Sequence, residues 1–167
     1  LVLFSPIGET LRHAAVQRWS DSQGAVLLCG RYEGIDQRFI DTHVDLQISV
    51  GDFVLSGGEI AAMTLLDAVA RLQPGVLNDE GSHQLDSFNP ALDGLLDCPH
   101  YTRPEQWEGL GVPPALVSGH HINIERWRRD QRLLLTARLR PELIDAARAS
   151  SKLTPQDEAV LKAQNSL

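Results

Sequence analysis

The sequence is poor in cysteine, in positive charge and in long apolar runs. Its two cysteines, Cys29 and Cys98, stand in neither a CxxC nor a zinc-ligand spacing, so a reduced, cytoplasmic protein is expected. No apolar run approaches the ~18 residues of a membrane span, and no basic-then-apolar segment starts the chain. The phosphate-cradling pattern GxxxxGK[ST] and the dinucleotide pattern GxGxxG are both missing, which excludes those two enzyme classes. Lys and Arg number 15 against 22 Asp and Glu, a net charge of −7 that argues against a generic nucleic-acid binder. The deficit is uneven. Residues 1–120 carry 6 basic against 16 acidic residues, whereas residues 121–148 carry 7 arginines against 4 acids. Any polyanion contact is therefore expected in the later segment.

The 167 residues suffice for a core of one domain plus an appendage. The opening Leu1-Val2-Leu3-Phe4 has the pattern of a buried strand with no polar lead-in, and suggests that an N-terminal part is missing. Ser5-Pro6-Ile7-Gly8 reads as a turn, and Thr10 as the cap of a helix over Leu11–Trp19. Ala25–Cys29 is a continuous apolar strand of the kind covered on both faces, and Val44–Val50 is the next strand. Helices are expected over Ile35–Ile40 and Ile60–Leu72, the second apolar around most of its circumference and so largely buried. This alternation places residues 1–77 in the α/β class with a mostly parallel sheet. Residues 78–93 read as a flexible linker. Residues 92–117 have no clear periodicity, and 94–167 read as a helical domain with helices over His121–Leu135, Pro141–Ala149 and from a Thr154 cap onward.

Two glycine loops follow apolar strands: Gly30-Arg31-Tyr32-Glu33-Gly34, and Ser49 to Glu59 with glycines at 51, 57 and 58. Such loops bare their amides and carbonyls, and in parallel sheets ligands bind beyond the carboxyl ends of the strands. By themselves the glycines are as well explained by turn geometry. Ser56 and Glu59 have the spacing of a capping box.

Four stretches carry a resemblance: Leu-Cys-Gly-Arg-Tyr-Glu-Gly-Ile-Asp (28–36), Ser-Val-Gly-Asp-Phe-Val-Leu-Ser-Gly-Gly-Glu (49–59), Asp-Ser-Phe (86–88) and Leu-Leu-Asp-Cys-Pro-His-Tyr-Thr-Arg-Pro (95–104). Together they resemble the bacterial tRNA (guanine-37) ring-nitrogen-1 methyltransferases, members of the SPOUT superfamily. The resemblance covers residues 1 to about 153. It implies a trefoil-knotted α/β domain, a small all-α C-terminal domain that grips tRNA, S-adenosylmethionine as cofactor, and a homodimer with a shared active site. A knot is rare enough that only the resemblance supplies it.

Matched position by position, Ser5, Pro6, Gly8, Gly30, Glu33, Ser49, Val50, Gly51, Asp52, Phe53, Val54, Leu55, Gly57 and Gly58 correspond to cofactor-binding positions. Glu33 is matched to the methionine end of the cofactor or to a magnesium ion, while a plain acid at a helix start explains it equally well. Arg71 suits a helix C-terminus, and the resemblance places it at the guanine carbonyl oxygen, where it would stabilise developing negative charge. Asp86, otherwise an ordinary loop cap, corresponds to the general base that takes the ring proton. A free Asp, of pKa ~3.9, is a weak base for this task, so placement and exclusion of water must supply most of the power. Arg103, Arg126, Arg128, Arg129 and Arg132 are the expected RNA contacts, with Trp127 turned inward. No dedicated metal-ligand set is read: His120 and His121 lack a second pair. Phe53 stands where tyrosine is usual in the family, and Leu85 where an acid precedes the base. The alternatives are a knotted methyltransferase acting on another RNA, and an inactive RNA-binding fragment.

Overall fold

The computed structural model describes residues 1–77 and 82–164. The chain forms two compact units, Leu1–His83 and Gln84–Leu167.

The first unit is α/β. It contains strands β1 (Val2–Thr10), β2 (Leu27–Leu28) and β3 (Leu46–Ser49), and helices α1 (His13–Ser20), α2 (Gln37–His43) and α3 (Glu59–Ala70). The sheet has the order β2-β1-β3, and both pairings are parallel. The apolar opening of the chain becomes the central strand. Val2 and Phe4 pack with Ile48 of β3 and with Ala61, Ala62 and Leu65 of α3. Burying an aliphatic side chain such as Leu65 contributes roughly 1.5–3 kcal/mol.

Three local expectations are corrected here. Residues 5–8 are not a turn that ends the strand. Phe4 and Glu9 are both in register with Ile48, so four residues bulge out and the strand then resumes to Thr10. Gly8 permits the return, because a Cβ there would lie 2.5 Å from the Gln47 carbonyl carbon and the Ile48 nitrogen. Thr10 therefore belongs to the strand and caps nothing. Helix α1 starts later, after Arg12, without a side-chain cap.

Helix α3 is not largely buried. One face packs on the sheet through Ala61, Ala62 and Leu65, while Ile60, Met63 and Leu66 are each more than half exposed. The Ser56–Glu59 capping box does not form either. Gly58 is the N-cap, and the Glu59 carboxylate turns to Arg31. In α2, by contrast, Asp36 accepts the Arg38 N–H at 2.9 Å and sets the start of the helix.

The second unit is mainly helical: α4 (Pro114–Val117), α5 (His121–Leu139), α6 (Pro141–Ala149) and α7 (Pro155–Gln164). Leu133 of α5 packs with Leu95, Ile144, Ala147 and Leu161. Thr154 and Asp157 form a reciprocal cap at the start of α7: Thr154 Oγ1 accepts the Asp157 N–H, and Asp157 Oδ2 accepts the Thr154 N–H. The unit is not purely helical. Strands β4 (Gln106–Trp107) and β5 (Leu110–Gly111) make an antiparallel hairpin within the stretch expected to be irregular. Of the expected linker 78–93, residues 78–81 lie outside the described residues. Residues 84–93 belong to the second unit, where Leu92 and Asn89 are buried.

Candidate functional site

A cleft of about 360 Å³ opens at the carboxyl ends of the three parallel strands. Its walls come from the bulge of β1 (residues 5–7), the loop after β2 (30–34) and the loop after β3 (49–51 and 53–58). The two glycine loops are joined directly. Arg31 and Gly57 form an antiparallel bridge, and the Gly58 N–H donates to the Gly30 carbonyl at 3.0 Å. Arg31 Nε also donates to Glu59 Oε1 at 2.7 Å. This guanidinium holds the Glu59 carboxyl below its usual range. Gly58 sits so close to the other loop that a Cβ would fall 2.9 Å from the Cys29 Cα. A side chain here would push the two loops apart.

Within the second loop the Ser49 hydroxyl donates to the Gly51 carbonyl at 3.1 Å and accepts the Gly51 N–H at 3.2 Å. This folds the chain back immediately after β3. Phe53, Val54 and Leu55 then remain exposed on the cleft wall.

Most of the residues expected at a cofactor site meet here: Ser5, Pro6, Gly30, Glu33, Ser49, Val50, Gly51, Phe53, Val54, Leu55, Gly57 and Gly58 all line the cleft. Gly8 and Asp52 do not. Gly8 packs on the β3 backbone instead. Arg31, Gln47 and Ile35 also line it and were not singled out from the sequence. Arg31 could have been found, since it lies between the two glycines of its loop and Glu59 lies between a glycine pair and a helix. Arg71 is not part of the cleft wall. It follows α3, whose rise of ~1.5 Å per residue puts Arg71 roughly 18 Å along the axis from Glu59. Asp86 is half-buried in the second unit. Among the described residues no group of three or more His, Cys, Asp or Glu is arranged to hold a metal ion.

Of the arginines expected to contact RNA, Arg126, Arg129 and Arg132 of α5 are paired with carboxylates of this chain. Arg129 pairs with Asp93 at 2.6 Å and with Asp157 at 3.1 Å. Arg126 pairs with Asp130 and reaches Asp157 at 3.0 Å. Arg132 is buried, with its Nε 3.3 Å from Asp97 Oδ1. The physical reason is the burial of the carboxylates. Asp157 is 1% exposed, and an unpaired charge there would cost several kcal/mol. Burial raises its pKa, but Arg129, the Thr154 N–H and hydroxyl, and Arg126 outweigh that and hold it at about 2. Asp97 is likewise raised by burial but lowered overall by the Cys98 N–H, His100 and Arg132. Arg128 pairs only with exposed Glu125, and Arg103 is exposed with no ion pair among the described residues. Trp127 is half-buried, and its ring centroid lies 6.1 Å from that of exposed Tyr101 in an edge arrangement.

Residues 1–146 match the family model described as tRNA (Guanine-1)-methyltransferase TrmD. Three curated relatives named tRNA (guanine-N(1)-)-methyltransferase illustrate the likeness. The protein of Polaromonas sp. is 77% identical over 160 residues, which is 96% of this chain and 62% of that protein. That of Albidiferax ferrireducens is 74% identical over 164 residues, covering 98% and 66%. That of Bordetella pertussis is 56% identical over 161 residues, covering 96% and 63%. The chain thus spans somewhat less than two thirds of the length of the relatives it matches. With the motifs at 28–36, 49–59, 86–88 and 95–104 all inside the matched span, the chain belongs to the tRNA (guanine-1)-methyltransferase family.

Proposed function

We propose that this chain carries the catalytic part of a methyltransferase that moves the methyl group of S-adenosylmethionine to ring nitrogen 1 of guanine 37 of tRNA. The observation that carries this is the joining of the two glycine loops around one cleft at the strand ends. The cleft volume lies in the range of small-molecule sites, and its mix of apolar side chains with loop peptide groups suits a flat base joined to a polar tail. Ile35, Phe53 and Leu55 would face the adenine, and the peptide groups of 30–34 and 50–57 would read its edge. Glu33 is left to the amino group of the methionine end or to a magnesium ion.

S-adenosylmethionine, when bound, supplies a methyl group activated by its sulfonium charge. Asp86 takes the proton from the guanine ring nitrogen as that nitrogen attacks, and Arg71 faces the carbonyl oxygen on which negative charge grows. Arg71 stands an α3 length from the cleft of its own chain, which supports a homodimer with a shared site. The exposed apolar row Ile60, Met63 and Leu66 on α3 supports the same assembly, because exposed apolar faces mark contact surfaces. The knotted threading of the 49–58 loop, a tRNA-gripping second unit and a cytoplasmic location belong to this proposal as well.

The test uses tRNA transcripts with guanine or adenine at position 37 and cofactor labelled in its methyl group. Label in the guanine transcript alone supports the assignment. Equal labelling of both, or of another RNA only, overturns it.

A further inference from the structure

The segment carrying Asp86 is held by a set of bonds that its assigned chemistry does not use. Residues 86–88 and 95–97 are tied side by side. The Phe88 N–H donates to the Leu95 carbonyl at 2.8 Å, and the Asp97 N–H donates to Ser87 Oγ at 2.9 Å. The Asn89 N–H closes back on the Asp86 carbonyl at 3.3 Å, and Phe88 adopts φ +72°. The second strip is anchored in turn to α5. The Leu96 N–H donates to Thr136 Oγ1 at 3.1 Å, and Thr136 is fully buried. The Asp97 carboxylate accepts from its neighbour's Cys98 N–H at 2.7 Å, lies 2.7 Å from His100 Nε2 and 3.3 Å from Arg132 Nε. Arg129 holds Asp93 in the connecting loop, and the Arg140 guanidinium lies 5.7 Å over the Phe88 ring.

The Ser87 hydroxyl, next to Asp86 in the chain, is a side-chain atom through which this scaffold reaches the segment. We propose that Ser87 is a positioning residue for Asp86, fixing the base through the Asp97 backbone and the α5 arginines behind it. This rests on the assignment of Asp86 as the base. Proton removal by a positioned carboxylate depends on placement, so a loosened neighbour slows it without weakening the binding of either substrate. Ser87 itself touches no substrate in this scheme.

The test compares Ser87→Ala, Ser87→Thr and Asp86→Asn with the parent chain on tRNA carrying guanine 37. Ser87→Ala is expected to lower kcat about ten- to a hundredfold, with KM for tRNA changed by less than about twofold and a melting temperature close to the parent. Ser87→Thr keeps an acceptor hydroxyl and is expected to recover most of the lost rate. A parental kcat for Ser87→Ala, a change in KM alone, or a Ser87→Thr variant as slow as Ser87→Ala overturns the proposal. Asp86→Asn turning over at the parental rate removes the base assignment itself, whereas a dead Asp86→Asn beside a fully active Ser87→Ala removes only the role of Ser87. Amide NMR gives a readout independent of turnover. In Ser87→Ala the Asp97 amide proton should move upfield and the Asp86 amide should gain fast motion; unchanged spectra at both amides also overturn the proposal.

Discussion

At the scale of single residues, the glycines and their ion-paired neighbours decide whether the cleft forms. Gly58→Ala places a methyl 2.9 Å from the Cys29 Cα. It is expected to lose ~1–3 kcal/mol in denaturant unfolding and to weaken cofactor binding measured by calorimetry. Glu59→Gln should behave differently. The Arg31–Glu59 pair is exposed, so stability should barely change, while cofactor affinity falls because the two loops lose one of the links between them. Equal losses of stability in the two variants would contradict this division. The glycines themselves were legible in the sequence, since each follows an apolar strand. Their partnership was not: Arg31 and Glu59 are 28 residues apart and meet only after β2 and β3 have been laid on either side of β1.

At the scale of elements, α5 changes role between the sequence and the fold. Its arginines look like a grip for phosphates, yet Arg126, Arg129 and Arg132 satisfy carboxylates brought in from Asp93, Asp97 and Asp157. Asp157→Asn breaks a buried network and is expected to cost ~3–5 kcal/mol. The sign with pH follows from the depressed value. A folded pKa of about 2, against an ordinary 3.8, stabilises the fold above pH 3.8 and loses that contribution as pH falls through 2. The stability gap between parent and Asp157→Asn, followed by circular dichroism, should therefore be flat near pH 5 and shrink between about pH 4 and 2. For RNA, Arg103→Ala and Arg128→Ala should weaken tRNA binding and each reduce the salt slope by about 1. Arg132→Ala should lower the melting temperature and leave the slope of the folded protein unchanged. Charge along the chain points to 121–148 as basic, but a helix's net charge does not reveal which carboxylates will be packed against it.

At the scale of the whole chain, the apolar row on α3 marks the expected contact with a second copy. Met63→Glu places a charge in the middle of that row, and sedimentation should show a shift toward monomer with the far-UV spectrum retained. An unchanged mass would remove α3 from the contact. The same substitution should depress methyl transfer if the site is shared between copies. Within the first unit, the alternating α/β order and the parallel sheet were readable from apolar runs and glycine breaks. The bulge at 5–8 was not, because Ser-Pro-Ile-Gly has the composition of a turn. Only the backbone of β3, with room beside it for glycine alone, brings the strand back.

The sequence alone determined the α/β class, the two glycine loops, the late helical region and the family, because local patterning and long specific motifs survive any arrangement of the elements. The tertiary structure decided what lies next to what. It joined loops 30–34 and 49–58 into one cleft, left half of an apolar helix uncovered, and turned basic side chains inward. Those outcomes depend on pairings between residues far apart in the chain, where a buried charge or a missing Cβ acts only once its neighbour has arrived.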